Sequence, residues 1–249
     1  MDLQVALNSF AKEAFRDQGD RDYISSRLVY RLKFREQFLW SGLQAIEKYL
    51  KAILLFNGRS SLYINWPATK GPRFGHDLVA LYDAVKNITE IKVTCPGEVE
   101  VFIKYLKQFG INRYFDRSTY TIGNELLELD KAVWHIRRYC QQLRWVVKDP
   151  SGQSIDMIAK RVDKLNAASV IQDPWKFRIR DAFLENVLSR SKNDSVRQAL
   201  IWQNLYYGTR RKGQVSYSPI RGSANPPSVR GWSQDPSLRS QLEKYIQLP

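Results

Sequence analysis

Cysteine and histidine are scarce, at two each in 249 residues. Cys95 and Cys140 show neither metal nor redox spacing, so a zinc site would need both cysteines and both histidines to converge. No metal or other cofactor is expected, and a reduced, cytoplasmic setting follows. Long apolar runs are missing as well. AILLF at 52–56 is among the longest, far short of the roughly 20 residues that cross a bilayer, so no membrane span is expected. MDLQVALNSFAKEAF lacks a basic segment followed by an uninterrupted apolar stretch, and no secretory signal is read there. The sequence holds no phosphate-binding Gly-x-x-x-x-Gly-Lys loop, dinucleotide fingerprint, serine elbow or internal repeat. Strand pairs are wanting too: VVK at 146–148 and KFRIR at 176–180 are β-prone, but neither has an evident hairpin partner.

Positive charge is abundant. The net charge is +14, from 39 basic and 25 acidic residues. Residues 1–149 carry 23 basic and 17 acidic groups and residues 150–249 carry 16 and 8, so the second part is the more basic for its length. Such a surface suits a polyanion, most naturally nucleic acid; the alternative is charge that serves solubility alone.

Helical periodicity dominates. Leu3, Leu7, Phe10, Ala11 and Ala14 mark an amphipathic helix ending near Gly19. Asp20 or Asp22 then caps a second helix, whose stripe from Ile24 through Leu43 and Ile53 ends at Asn57-Gly58. That element would be about 33 residues and roughly 50 Å long, with room for a break near Arg35. A loop covers 57–75, and HDLVALYDAVKNI and EVEVFIKYLKQF each read as a helix. Ile122 through Leu143 predicts a long helix from Thr119 to about Val147. The fold class is all-α.

Asp149-Pro150-Ser151-Gly152 is the expected boundary of a first domain, 1–149. A helical extension over 150–207 follows, with SIDMIAKRVDKLNAA as one helix, another from Asp173-Pro174 through Leu188, and a third capped at Ser195. Residues 208–234 read as a flexible basic linker, since GTRRKGQVSYSPIRGSANPPSVRGW has five basic residues and no acid. A final helix is expected within 235–249.

The stretch FLWSGLQAIEKYLKAILLFNG at 38–58 resembles the signature helix of HEPN domains, through Gln44, Ala45, Glu47, Lys48, Leu50, Lys51, Ala52 and Gly58. His76, Leu78 and Leu81 match the family's His-x-Leu-x-x-Leu, and Arg113-Tyr114 its Arg-Tyr element, all within residues 1–147. The resemblance implies an antiparallel four- or five-helix bundle that pairs into a homodimer. It also implies a role around RNA or nucleotides, in stress, defence or toxin–antitoxin systems, sometimes beside a nucleotidyltransferase. Nuclease members depend on an arginine and a histidine with four to six residues between them. For His76 those positions hold Thr69, Lys70 and Gly71, and for His135 they hold Glu128, Leu129 and Asp130. The family's catalytic residues therefore do not carry over.

Three readings follow: an RNA- or nucleotide-binding protein without the usual nuclease activity, a metal-independent endoribonuclease with a rearranged site, or a scaffold for a protein partner. Catalysis would draw on His76, whose plain alternative is a residue beside a helix cap that bonds the signature helix. Lys48 and Lys51 either face a phosphate-accepting crevice or form a wet stripe with a Glu47–Lys51 pair. Arg113, Tyr114 and Arg117 join cations to a ring, as do Arg210, Arg211 and Lys212 with nearby tyrosines, a pattern suited to RNA. His135, in an apolar helix, reads as a satisfied core residue.

Overall fold

The computed structural model describes residues 2–64, 71–110, 123–208 and Ser240. Its first helical stretch is continuous: α1 (Leu3–Phe10), a π-helical turn (Ala11–Arg16) and α2 (Asp17–Arg31). The expected stop at Gly19 does not occur. Gly19 lies inside α2 facing the next helix, where an added Cβ would stand 2.9 Å from Tyr49 Cε1 and 3.3 Å from the Ala45 carbonyl. The glycine serves close helix packing, not termination. Asp20 likewise is no cap; it is a fully buried acid.

The chain reverses at Leu32–Phe34, where Lys33 takes φ +65°, and α3 (Arg35–Phe56) returns against α2. The break is thus where the sequence left room for one. α3 ends as its Asn57-Gly58 predicts. With Gly58 at φ +67°, Gly58 N–H donates to Leu55 O at 3.0 Å and Arg59 N–H to Leu54 O at 2.8 Å. Glycine takes this left-handed backbone without steric cost and so satisfies the last carbonyls. Asp77 caps α4 (Leu78–Lys86), accepting from Val79 and Ala80 N–H at 3.1 and 3.0 Å.

α5 (Gly97–Phe109) and α6 (Glu125–Arg137) complete the bundle. α6 is shorter than its hydrophobic stripe suggests. Tyr139 and Leu143 remain in the core, yet the chain there has left the helix. It runs into β1 (Val146–Lys148), which pairs antiparallel with β2 (Ser154–Asp156), Val147 opposite Ile155. The sequence reading missed this ribbon. Its turn is the Asp149-Pro150-Ser151-Gly152 segment expected as a boundary, where Asp149 Oδ1 accepts from Ser151 and Gln153 N–H at 2.9 and 2.8 Å.

α7 (Ile158–Asn166), α8 (Ala168–Gln172), a 3₁₀ turn (Pro174–Lys176), α9 (Phe183–Leu188) and α10 (Ser195–Ile201) follow. The helix expected from Pro174 through Leu188 is only that turn and α9, with irregular chain and a turn at Arg180–Asp181 between. Val162, Leu165, Leu184, Leu200 and Tyr207 share one apolar core with residues 11–143. Among the described residues the architecture is all-α with one small ribbon, and no helix there is long and apolar enough to cross a membrane.

Buried ion pairs fasten the helices. Arg35 of α3 binds Glu125 of α6 at 2.8 Å, and Arg27 of α2 binds Asp130 of α6, which also accepts from Tyr23 at 2.6 Å. Removing one partner of such a pair leaves a charge in the interior, so each pair fixes how its helices meet.

Candidate functional site

The polar groups of α3 lie among acids. Lys51 pairs with Glu47 one turn away at 2.6 Å, as the spacing predicts, while Lys48 reaches across to Asp22 of α2. His76, 74% exposed, presents Nδ1 to Glu47 Oε2 at 3.1 Å. Lys107 closes on Asp77 at 2.8 Å. This patch therefore balances three lysines against three carboxylates, with Glu47 buried beneath. Its lysine charge is spent locally, and the two α3 lysines diverge to different partners instead of sharing a phosphate-accepting crevice. Of the two readings open for these lysines, the Glu47–Lys51 pair is present, and Lys48 adds a pair with Asp22.

His76 sits beside the α4 cap and bonds the α3 helix, and its Nε2 has no protein partner among the described residues. His135 is buried. Its Nδ1 accepts from Arg138 Nη1 at 2.7 Å, and desolvation, reinforced by the charges of Arg138 and Lys131, lowers its pKa to about 3. Arg113, Tyr114, Arg117, Arg210, Arg211 and Lys212 lie outside the described residues. Among those described, no group of three His, Cys, Asp or Glu could hold a metal ion.

A concave site does exist, on another face. The π-helical turn, the end of α3, the chain after α6, α7, α8 and residues 176–181 enclose a cleft of about 1110 Å³. Lys12, Arg161, Lys164, Arg178 and Arg180 line it, and none of the five is in an ion pair among the described residues. Lys176 lines it too but pairs with Asp173; Arg16 is buried, bound to Asp17 at 2.9 Å and to the Asp181 carbonyl at 2.8 Å. The bundle surface differs. Every lysine and arginine on α3, α4, α5 and α6 has a carboxylate partner. The cleft gathers cations outside any described ion pair on a concave wall, where the potential is focused.

The chain matches no protein-family model, no curated protein and no solved structure.

Local geometry explains how the cations converge. Arg161 and Lys164 are three apart on α7 and share a face. Along KFRIR burial alternates: Ile179 is buried, while Lys176 at the end of the 3₁₀ turn, Arg178 and Arg180 are exposed. The alternation was legible as a β-prone run; what it would lie against was not. Arg16 supplies that contact, since its bond to Asp181 ties the stretch to the π-helical turn. Helices interrupted by π turns are frequent at functional sites. Aromatic rings complete the lining: Trp145, half exposed, and Phe177.

Proposed function

We propose that this protein binds RNA through the basic cleft, as a helical, HEPN-type module without the usual nuclease pair. The single observation that supports this is the set of five unpaired cations, Lys12, Arg161, Lys164, Arg178 and Arg180, on one concave surface. Phosphates would displace no carboxylate from these five cations, and their counterions would be released on binding. A membership in stress or defence systems, and pairing into a homodimer, extend the same proposal from the resemblance of residues 38–58.

Lys164→Glu and Arg180→Glu in the full chain test it. Each is expected to weaken binding of a fluorescent 20-nucleotide RNA on the order of tenfold and to lower the salt-dependence slope by about one. Undiminished binding would place the RNA site elsewhere and end this reading.

A second reading, acid–base cleavage of RNA at His76, has one supporting contact: Glu47 holds Nδ1 and leaves Nε2 free to exchange a proton. RNA incubated with EDTA and either wild-type or His76→Ala protein tests it; equal cleavage, or none, removes it.

A further inference from the structure

The aromatic side of the cleft bears on which form of RNA it takes. Trp145 stands where the chain enters β1, with 51% of its surface exposed. Its position is fixed from two directions. The Trp145 carbonyl accepts from Met157 N–H at 2.8 Å, closing the base of the β1–β2 ribbon. The Arg161 guanidinium lies 5.5 Å from the ring centroid and donates to the Gln142 carbonyl at 3.0 Å. A large, held and wet indole thus shares a wall with unpaired cations, and Phe177 lines the same cleft.

We infer that the cleft takes single-stranded RNA, stacking a base on Trp145 while Lys164, Arg178 and Arg180 hold the flanking phosphates. This rests on the RNA-binding reading above and adds the form of the ligand to it. A duplex turns its phosphates outward and keeps its base faces covered by one another, so it offers nothing to an indole. A single strand exposes both base faces and phosphates to one concave wall. The volume agrees. About 1110 Å³ lies just above the roughly 300–1,000 Å³ of small-molecule sites, which is room for a short run of nucleotides and not for a double helix.

The experiment uses the full-length chain, a labelled twelve-residue oligouridine, and the same strand annealed to its complement, each titrated at low and moderate salt. Wild type is expected to bind the single strand about tenfold or more tightly than the duplex. Trp145→Ala is expected to lose on the order of tenfold for the single strand alone, the size of one lost base stack, and Trp145→Phe to recover most of it. Trp145 is half exposed, so the variants keep the fold, which far-UV circular dichroism and the melting temperature check. Equal affinity for both forms, or a Trp145→Ala protein that binds the single strand as wild type does, overturns the inference. If Lys164→Glu still weakens binding in that case, RNA binding at the cleft stands without the stack. If neither RNA binds at low salt, both fall together.

Discussion

Asp20 of α2 and Arg137 at the end of α6 form a two-pronged pair inside the protein, with Nε–Oδ1 at 2.6 Å and Nη2–Oδ2 at 2.8 Å. Asp20 also accepts from Tyr49 Oη of α3 at 2.8 Å and from Leu184 N–H of α9 at 2.9 Å, while Arg137 binds Glu185 of α9 at 2.7 Å. One buried cluster therefore joins the bundle to the chain that follows the ribbon. It carries both signs, satisfied on nearly every side, and this is the condition under which buried charge is tolerated.

Breaking that cluster has an ordered outcome. Arg137→Met strands two carboxylates and is expected to cost about 3–5 kcal/mol. Asp20→Asn leaves Arg137 still neutralised by Glu185 and costs less. Urea unfolding of both variants measures the order, and the reverse order would show that Glu185 contributes little to holding Arg137.

Gly19→Ala sets helix propensity against packing. Alanine gains up to about 1 kcal/mol in a helix interior. The new methyl, however, meets Tyr49 Cε1 at 2.9 Å, and that ring is fully buried and tied through its hydroxyl to Asp20. Overpacking of about 1–3 kcal/mol wins, so the melting temperature falls. A rise would mean that α2 and α3 separate readily.

Stability should fall with acid through His135. Its folded pKa, about 3, lies below the ordinary histidine value of 6.5. Between those values the unfolded chain binds the proton and the folded one does not, so stability is unaffected above 6.5 and declines as the pH drops toward 3. The steepest slope is about 1.4 kcal/mol per pH unit. His135→Gln, which cannot take up the proton, is expected to flatten this part of the curve, measured by urea unfolding from pH 7 to 4.

Lys48→Ala and Lys51→Ala are expected to change RNA affinity by less than about twofold, against roughly tenfold for a cleft cation. Their ammonium groups already answer Asp22 and Glu47. Filter binding at two salt concentrations measures the difference; a tenfold loss in either variant would return the ligand to the α3 face.

Much of the helical frame could be read from the residues. The apolar stripe of α3, its stop at Asn57-Gly58, the Asp77 cap and the Glu47–Lys51 pair all follow from interactions within a turn or two. The failures share one cause. Gly19 looks like a helix end until Tyr49 is seen against it, and Asp20 looks like a cap until Arg137 reaches it from more than a hundred residues away. The stripe of α6 continues past its helix because a turn of other geometry also buries Tyr139 and Leu143. The ribbon escapes notice because the residues of its turn read equally well as a domain boundary.

The same division applies to function. The order of residues alone determined the excess of positive charge, its concentration after residue 150, and the lack of any usual arginine–histidine nuclease spacing, since none of these depends on how the chain folds. Which cations remain available was decided only by folding. Lys48 and Lys51 come within reach of carboxylates, whereas Lys12, Lys164 and Arg180, distant in sequence, meet around a concavity without entering an ion pair among the described residues. Charge is a property of the side chain; whether it is free to act depends on which neighbour the tertiary structure brings within a few ångströms.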